Sequence, residues 1–117
     1  EYLCKAWYHD MLEGVHRHRL DLKTAAGSKK MDALLAAADI LITSQRPAAL
    51  TRMGLEPANL RRRYPGLAIV TIIGAANEQA HLPGHDLTYQ ARAGLVEPPH
   101  LPRSLIADLS GAQQAVI

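Results

Sequence analysis

With 117 residues, 48% apolar and 21% charged, the chain has the size and balance of one small globular domain built around one core. A net charge of +2 is too small to argue for a nucleic-acid partner, and no apolar run reaches the roughly 18 residues that a membrane-spanning helix needs. The single cysteine, Cys4, excludes an intrachain disulfide and fits a reducing, cytoplasmic setting. No N-terminal stretch reads as basic, then apolar, then small, so no secretory leader is expected. One Trp, four Tyr and no Phe leave Ala and Leu to fill most of the core.

Residues 1–16 read as a poorly defined lead-in, with a short helix near 2–13 closed by Gly14. Alternation from His18 places Leu20 and Leu22 on one side of a short strand. A turn at 23–27, with Thr24 or Ser28 as cap, opens a helix whose Met31, Leu34, Leu35 and Ala38 recur at helical spacing. The apolar run 39–43 reads as a strand buried on both faces, as in a parallel sheet. Arg46-Pro47 opens a helix over 48–53 that Gly54 ends, and Pro57 opens a second over 57–64. Pro65-Gly66 turns the chain into a second buried strand over 67–73, ended by Gly74. A loop over 75–84, a helix over 85–95, a proline-rich linker over 96–103 and a helix over 104–117 complete the reading. Strands alternating with helices predict an α/β class with parallel pairing, the α/β unit covering 17–95. Glu1, with no methionine before it, and Ile117, inside an apolar helical pattern, suggest that 1–117 is a single partial domain, a fragment of something longer.

In open α/β sheets, ligands sit beyond the carboxyl ends of the strands. That edge holds Ser44, Gln45 and Arg46 after one strand and Gly74 after the next. Other features argue less. Arg61-Arg62-Arg63 lacks interleaved aromatics and a second basic cluster, so a solvated helix end is expected and not a nucleic-acid contact. His16 and His18 would share a strand face but have no third ligand in view, so no metal is expected. The glycines follow no phosphate-loop or dinucleotide fingerprint.

Four stretches, in order, carry a resemblance. They are Leu20-Asp21-Leu22-Lys23; Ala38-Asp39-Ile40-Leu41-Ile42 with Arg46-Pro47 and Leu50-Thr51-Arg52-Met53-Gly54-Leu55; Tyr64-Pro65-Gly66-Leu67-Ala68-Ile69-Val70 running to Gly74; and Pro83-Gly84-His85-Asp86-Leu87-Thr88-Tyr89-Gln90-Ala91 with Gly94-Leu95, then Ile106-Ala107-Asp108-Leu109. Across about residues 14–117 the chain resembles the family III coenzyme A transferases, the group that includes carnitine and formate CoA transferases and the α-methylacyl-CoA racemases. The resemblance implies a Rossmann-like domain joined to a smaller one. It also implies chains that interlock in pairs, hence a homodimer or higher oligomer, and acyl-CoA and a carboxylic acid as partners, with coenzyme A as substrate and no metal.

By the same resemblance, Asp108 stands at the family's nucleophilic aspartate, which takes CoA through an aspartyl-CoA thioester. The ordinary alternative for an aspartate is a solvated or capping side chain. His85 stands where the racemase branch keeps one half of an acid/base pair with that aspartate, a task that suits imidazole; a histidine bonded in a turn is the alternative. Ser44, Gln45, Arg52 and Met53 match CoA-contacting positions, and Arg46 serves the same pocket or its own helix N-terminus. The chain departs from the family where Gly14 is followed by Val15-His16 in place of Gly-Lys-Arg, and where residues 74–82 replace a glycine-rich loop. The segment from His85 to Asp108 is also short for the racemase branch. Three functions follow: CoA transfer by Asp108, with the short chain expected to be inactive alone; proton transfer at the α-carbon of an acyl-CoA by His85 and Asp108; or a non-catalytic, oligomerising remnant.

Overall fold

The computed structural model describes residues 4–75 and 77–117. Tyr2 and Leu3 of the expected first helix, and Ala76 of the loop over 75–84, lie outside those residues. In chain order the elements are α1 (Lys5–Met11), α2 (Ala25–Ala37), β1 (Ile40–Thr43), α3 (Pro47–Arg52), α4 (Pro57–Arg63), β2 (Ala68–Thr71), a 3-10 turn (Asn77–His81), α5 (Asp86–Arg92) and α6 (Ile106–Gln114). They divide into two compact units, Glu1–Met31 and Asp32–Ile117.

In the first unit, the expected strand around Leu20 and Leu22 does not form. Asp21 diverts the backbone instead. Its carboxylate accepts the Lys23 N–H at 3.0 Å, and its carbonyl accepts the Thr24 hydroxyl at 2.8 Å. Thr24 then accepts the N–H of Gly27 at 3.1 Å, the bond of a helix N-cap, and α2 begins. Local side-chain bonds of this kind compete with a ladder, and here they win. Gly27 is packed so closely on the turn that an added Cβ would lie 1.9 Å from the Asp21 carbonyl oxygen.

In the second unit, β1 and β2 pair in parallel, Ile40 opposite Ala68 and Thr43 opposite Thr71, with α3 and α4 forming the crossover. β2 is shorter than the expected 67–73. The Gln45 N–H turns back onto the Thr43 hydroxyl at 3.2 Å, so the ladder has no further partner after the Ile72 N–H reaches the Thr43 carbonyl at 2.8 Å. Leu35, Leu50, Leu60 and Leu67 form the buried core, each worth about 1.5–3 kcal/mol by burial. The expectation of a β1 buried on both faces is corrected: Leu41 and Thr43 are half-buried, but Ile40 and Ile42 are 59% and 58% exposed. Side chains alternate across a strand, and only one face of this two-stranded sheet is covered.

Proline opens both crossover helices at the first position, where its missing N–H costs nothing. Gly54 ends α3 at φ +69°, a left-handed conformation that favours glycine, and its carbonyl accepts the Asn59 side chain at 3.0 Å. Arg63 and the Tyr64 hydroxyl both donate to Asp32, at 2.6 and 3.1 Å, joining the end of α4 to α2. Arg62 donates to Asn59 at 3.3 Å, and Arg63 lies over the Tyr64 ring at 5.0 Å. The arginine run therefore ends a helix, where cations suit the dipole. Further on, α5 and α6 pack together.

Candidate functional site

A cavity of about 560 Å³ opens beyond the carboxyl ends of β1 and β2. Ser44, Gln45 and Arg46 line it from the end of β1, and Ile72, Ile73 and Gly74 from the end of β2. The segment leading into α5 contributes His85 and Tyr89, and the first turns of α6 contribute Asp108. Four chain segments thus bring six of the eight residues singled out in the sequence, Ser44, Gln45, Arg46, Gly74, His85 and Asp108, to one space. Its wall combines a guanidinium, a hydroxyl and a carboxamide with apolar Ile72, Ile73 and Leu82. A cation and hydrogen-bonding groups suit an anionic or polar group, and the apolar wall suits a hydrocarbon one.

Arg52 and Met53 do not line this cavity. Arg46 precedes α3 directly, and a helix rises about 1.5 Å per residue, so Arg52 lies roughly 9 Å further along it. Arg52 belongs to the last turn of α3, and Met53 is its C-cap.

Asp108 is exposed and occupies the first turn of α6, where the helix dipole favours an anion. The N-cap of α6 is Leu105, which has no side-chain acceptor. The orphan N–H groups are taken instead by Asp86 from α5. One oxygen of its carboxylate accepts the N–H of Ala107 at 2.7 Å and that of Asp108 at 3.1 Å. Its other oxygen accepts a short hydrogen bond from Gln90, which also donates to the Ser104 carbonyl at 2.8 Å. Asp86 and Gln90 are buried, at 6% and 3% exposure. Burial pushes the Asp86 carboxyl up, but the bonds from Gln90 and from the Asp108 and Ala107 N–H groups outweigh it, and its pKa lies below the ordinary 3.8.

His85 is the N-cap of α5. Its N–H donates to the Thr88 hydroxyl at 3.4 Å and its carbonyl accepts the Thr88 N–H at 2.8 Å, so the backbone that carries the imidazole is tied down on both sides. One turn on, the Tyr89 phenol wedges against both ends of the connection from β2 to α5. A Cβ added to Gly74 would lie 1.8 Å from its hydroxyl, and one added to Gly84 would lie 2.5 Å away. Glycine at both positions is what admits the ring.

Asp86, Gln90, Tyr89 and Gly84 were not singled out from the sequence. Asp86 and Gln90 stand four apart, a spacing that puts two side chains on one helix face, and that was the available signal. His16 and His18 are exposed, and among the described residues no group of three or more His, Cys, Asp or Glu could hold a metal ion. No described helix is long and apolar enough to cross a membrane.

The family model described as CoA-transferase family III matches residues 5–116. A CaiB/baiF CoA-transferase family protein from Caenorhabditis elegans is 32% identical over 103 residues, 80% of this chain and 30% of that protein. The cinnamoyl-CoA:phenyllactate CoA-transferase of Clostridium sporogenes is 39% identical over 79 residues, 65% of this chain and 19% of that enzyme. Among solved structures, the Mycobacterium tuberculosis protein Rv3272 superposes with a TM-score of 0.70 at 28% identity, over 83% of this chain and 30% of that one. The chain thus spans less than a third of the length of these relatives.

Proposed function

The chain belongs to CoA-transferase family III, and on that premise we propose that it carries the nucleophilic wall of an enzyme moving CoA between carboxylic acids, with Asp108 as nucleophile. The observation behind this reading is an exposed carboxylate at a helix N-terminus, facing a cavity whose other walls offer Arg46, Ser44 and an apolar surface. Similarity to a cinnamoyl-CoA:phenyllactate CoA-transferase supports an acyl-CoA and an acid as the two reactants.

In this reading the Asp108 carboxylate attacks the thioester carbonyl of the donor acyl-CoA. The carbon–sulfur bond breaks, CoA thiolate leaves and a mixed anhydride forms. The thiolate then attacks the aspartyl carbonyl, releasing the donor acid and leaving CoA on Asp108 as a thioester. The acceptor carboxylate repeats both steps in reverse, and Asp108 is regenerated. Covalent catalysis divides one hard exchange into easier steps. Each addition places negative charge on a carbonyl oxygen, which donors fixed around the cavity can stabilise.

Turnover between two acids is not expected from this chain alone, because it spans under a third of its relatives and its cavity is walled by one sheet edge, the loop before α5 and two helices. Association into a homodimer or higher oligomer would cover exposed Ile40 and Ile42. The deciding experiment is the intact mass of the protein after incubation with a panel of acyl-CoA thioesters. The expected result is a hydroxylamine-sensitive adduct on Asp108, absent in Asp108→Asn. Neither adduct nor CoA binding by calorimetry would leave the non-catalytic reading in place. A second reading is favoured by His85 lining the same cavity as Asp108: proton exchange at the α-carbon of an acyl-CoA. Solvent deuterium entering that carbon with no acceptor acid present would select it.

A further inference from the structure

We propose that Asp86 is the positioning residue of Asp108, a buried carboxylate that caps α6 from outside and holds the backbone of the nucleophile at the cavity. The claim rests, for its catalytic part, on the reading of Asp108 as nucleophile.

Most helices are capped by the residue just before them. A Ser, Thr, Asp or Asn there accepts an N–H of the first turn and sets where the helix starts. Leu105 cannot do this. Without another acceptor, the first turn of α6 would leave N–H groups unpaired beside a buried part of α5, which is costly. Asp86 supplies the acceptor from 22 residues upstream. Because one of the two N–H groups it takes belongs to Asp108, the anchor holds the backbone that carries the nucleophilic carboxylate.

The anchor is itself held on its far side. Gln90 uses its NH2 group for both Asp86 and the Ser104 carbonyl. It therefore fixes the carboxylate and the chain entering α6 together. This arrangement requires an acceptor at both Asp86 oxygens. An asparagine at 86 would keep one oxygen for Ala107 and Asp108 but would oppose its own NH2 to that of Gln90. Turning the Gln90 amide to relieve the clash would release Ser104. Asparagine should therefore restore most of the anchor and alanine none. Asp86 does not line the cavity, so it acts on the reaction through the residues it holds there, Ala107 and Asp108.

The test compares the wild type, Asp86→Ala, Asp86→Asn and Gln90→Ala, all as the 117-residue chain. Amide hydrogen exchange is read at Ala107 and Asp108, with Ala68 and Ile72, whose N–H groups donate to the Asp39 and Thr43 carbonyls at 2.9 and 2.8 Å, as internal controls for global folding. In Asp86→Ala, exchange at Ala107 and Asp108 should rise roughly fivefold or more over the wild type while the control amides hold. Asp86→Asn should recover most of that protection, and Gln90→Ala should fall between them. In the acyl-CoA reaction, Asp86→Ala should slow adduct formation on Asp108 at saturating thioester without changing the half-saturating concentration, and Asp86→Asn should recover it. A structural role alone would shift all amides together. Unchanged exchange at Ala107 and Asp108 in Asp86→Ala, no rescue by asparagine, or a wild-type adduct rate in Asp86→Ala would overturn the proposal. If the wild type forms no adduct, the transferase reading fails, and exchange alone decides whether Asp86 positions Asp108.

Discussion

Replacing Gly74 by alanine tests the packing that shapes the cavity. Gly74 does not have a positive φ, so its backbone accepts alanine, and the whole effect must come from the added methyl. That methyl would lie 1.8 Å from the Tyr89 hydroxyl and 2.2 Å from Cζ. Non-bonded heavy atoms settle at about 3.5–4.0 Å, so the overlap is roughly 1.5 Å or more. A flip of the ring leaves both atoms on its axis and gives no relief. Moving the phenol toward Gly84 gives none either, because the backbone there already touches the same ring edge. The phenol must leave its slot for the cavity, or the loop must shift. Overpacking of this size costs about 1–3 kcal/mol. For a domain near this length the melting temperature should fall by roughly 5–15 °C. The assay is a double-mutant cycle by thermal denaturation with Tyr89→Ala. Once the ring is gone, Gly74→Ala should add no more than about 0.5 kcal/mol. A Gly74→Ala protein that melts with the wild type, or an equal loss in both backgrounds, would show that Tyr89 does not fill the slot.

Two further outcomes follow from the same geometry. Gly27→Ala places a methyl 1.9 Å from a backbone oxygen, which no side-chain rotation can relieve, so α2 should lose about 1–3 kcal/mol at its start by circular dichroism. Gly66→Ala, with nothing within 4 Å, should be neutral or slightly stabilising and serves as the control. Asp86 makes stability depend on acid pH. Its pKa is lower in the folded state than in the unfolded chain, so its contribution is complete above about 3.8 and lost as pH falls through the folded value. The wild-type melting temperature should drop more steeply below that pH than that of Asp86→Asn; parallel curves would show that Asp86 is not held as described.

The legible parts of the fold were those set by local chemistry. Pro47 and Pro57 marked helix starts, Gly54 marked a stop, and two β-rich apolar runs separated by helices implied a parallel pair. Two local patterns misled. Leu20 and Leu22 alternate as a strand would, but Asp21 and Thr24 between and beside them bond to the backbone and make a turn. The run 39–43 is apolar enough for burial on two faces, yet Ile40 and Ile42 stand exposed on the uncovered one. Periodicity reports what a segment could bury, and neighbours decide whether it does.

Sheet topology and family resemblance each named part of the set that meets at the cavity. Topology nominated Ser44, Gln45, Arg46 and Gly74, and these meet in the cavity. Resemblance added Asp108 and His85, which join them there, and Arg52 and Met53, which do not. What no local reading could supply is the reason Asp108 sits where it does. Its helix begins after Leu105, a poor cap, in a stretch whose own residues do not dictate a start. The start is dictated from α5, by Asp86 and Gln90 one helical turn apart. Only folding brings that pair to the N-terminus of α6. A sequence that kept Asp108 but lost Asp86 would still show the Ala-Asp-Leu motif, while the Ala107 and Asp108 N–H groups would lose their acceptor. If Asp108 is the nucleophile we propose, judging a relative's site means reading the two aspartates together.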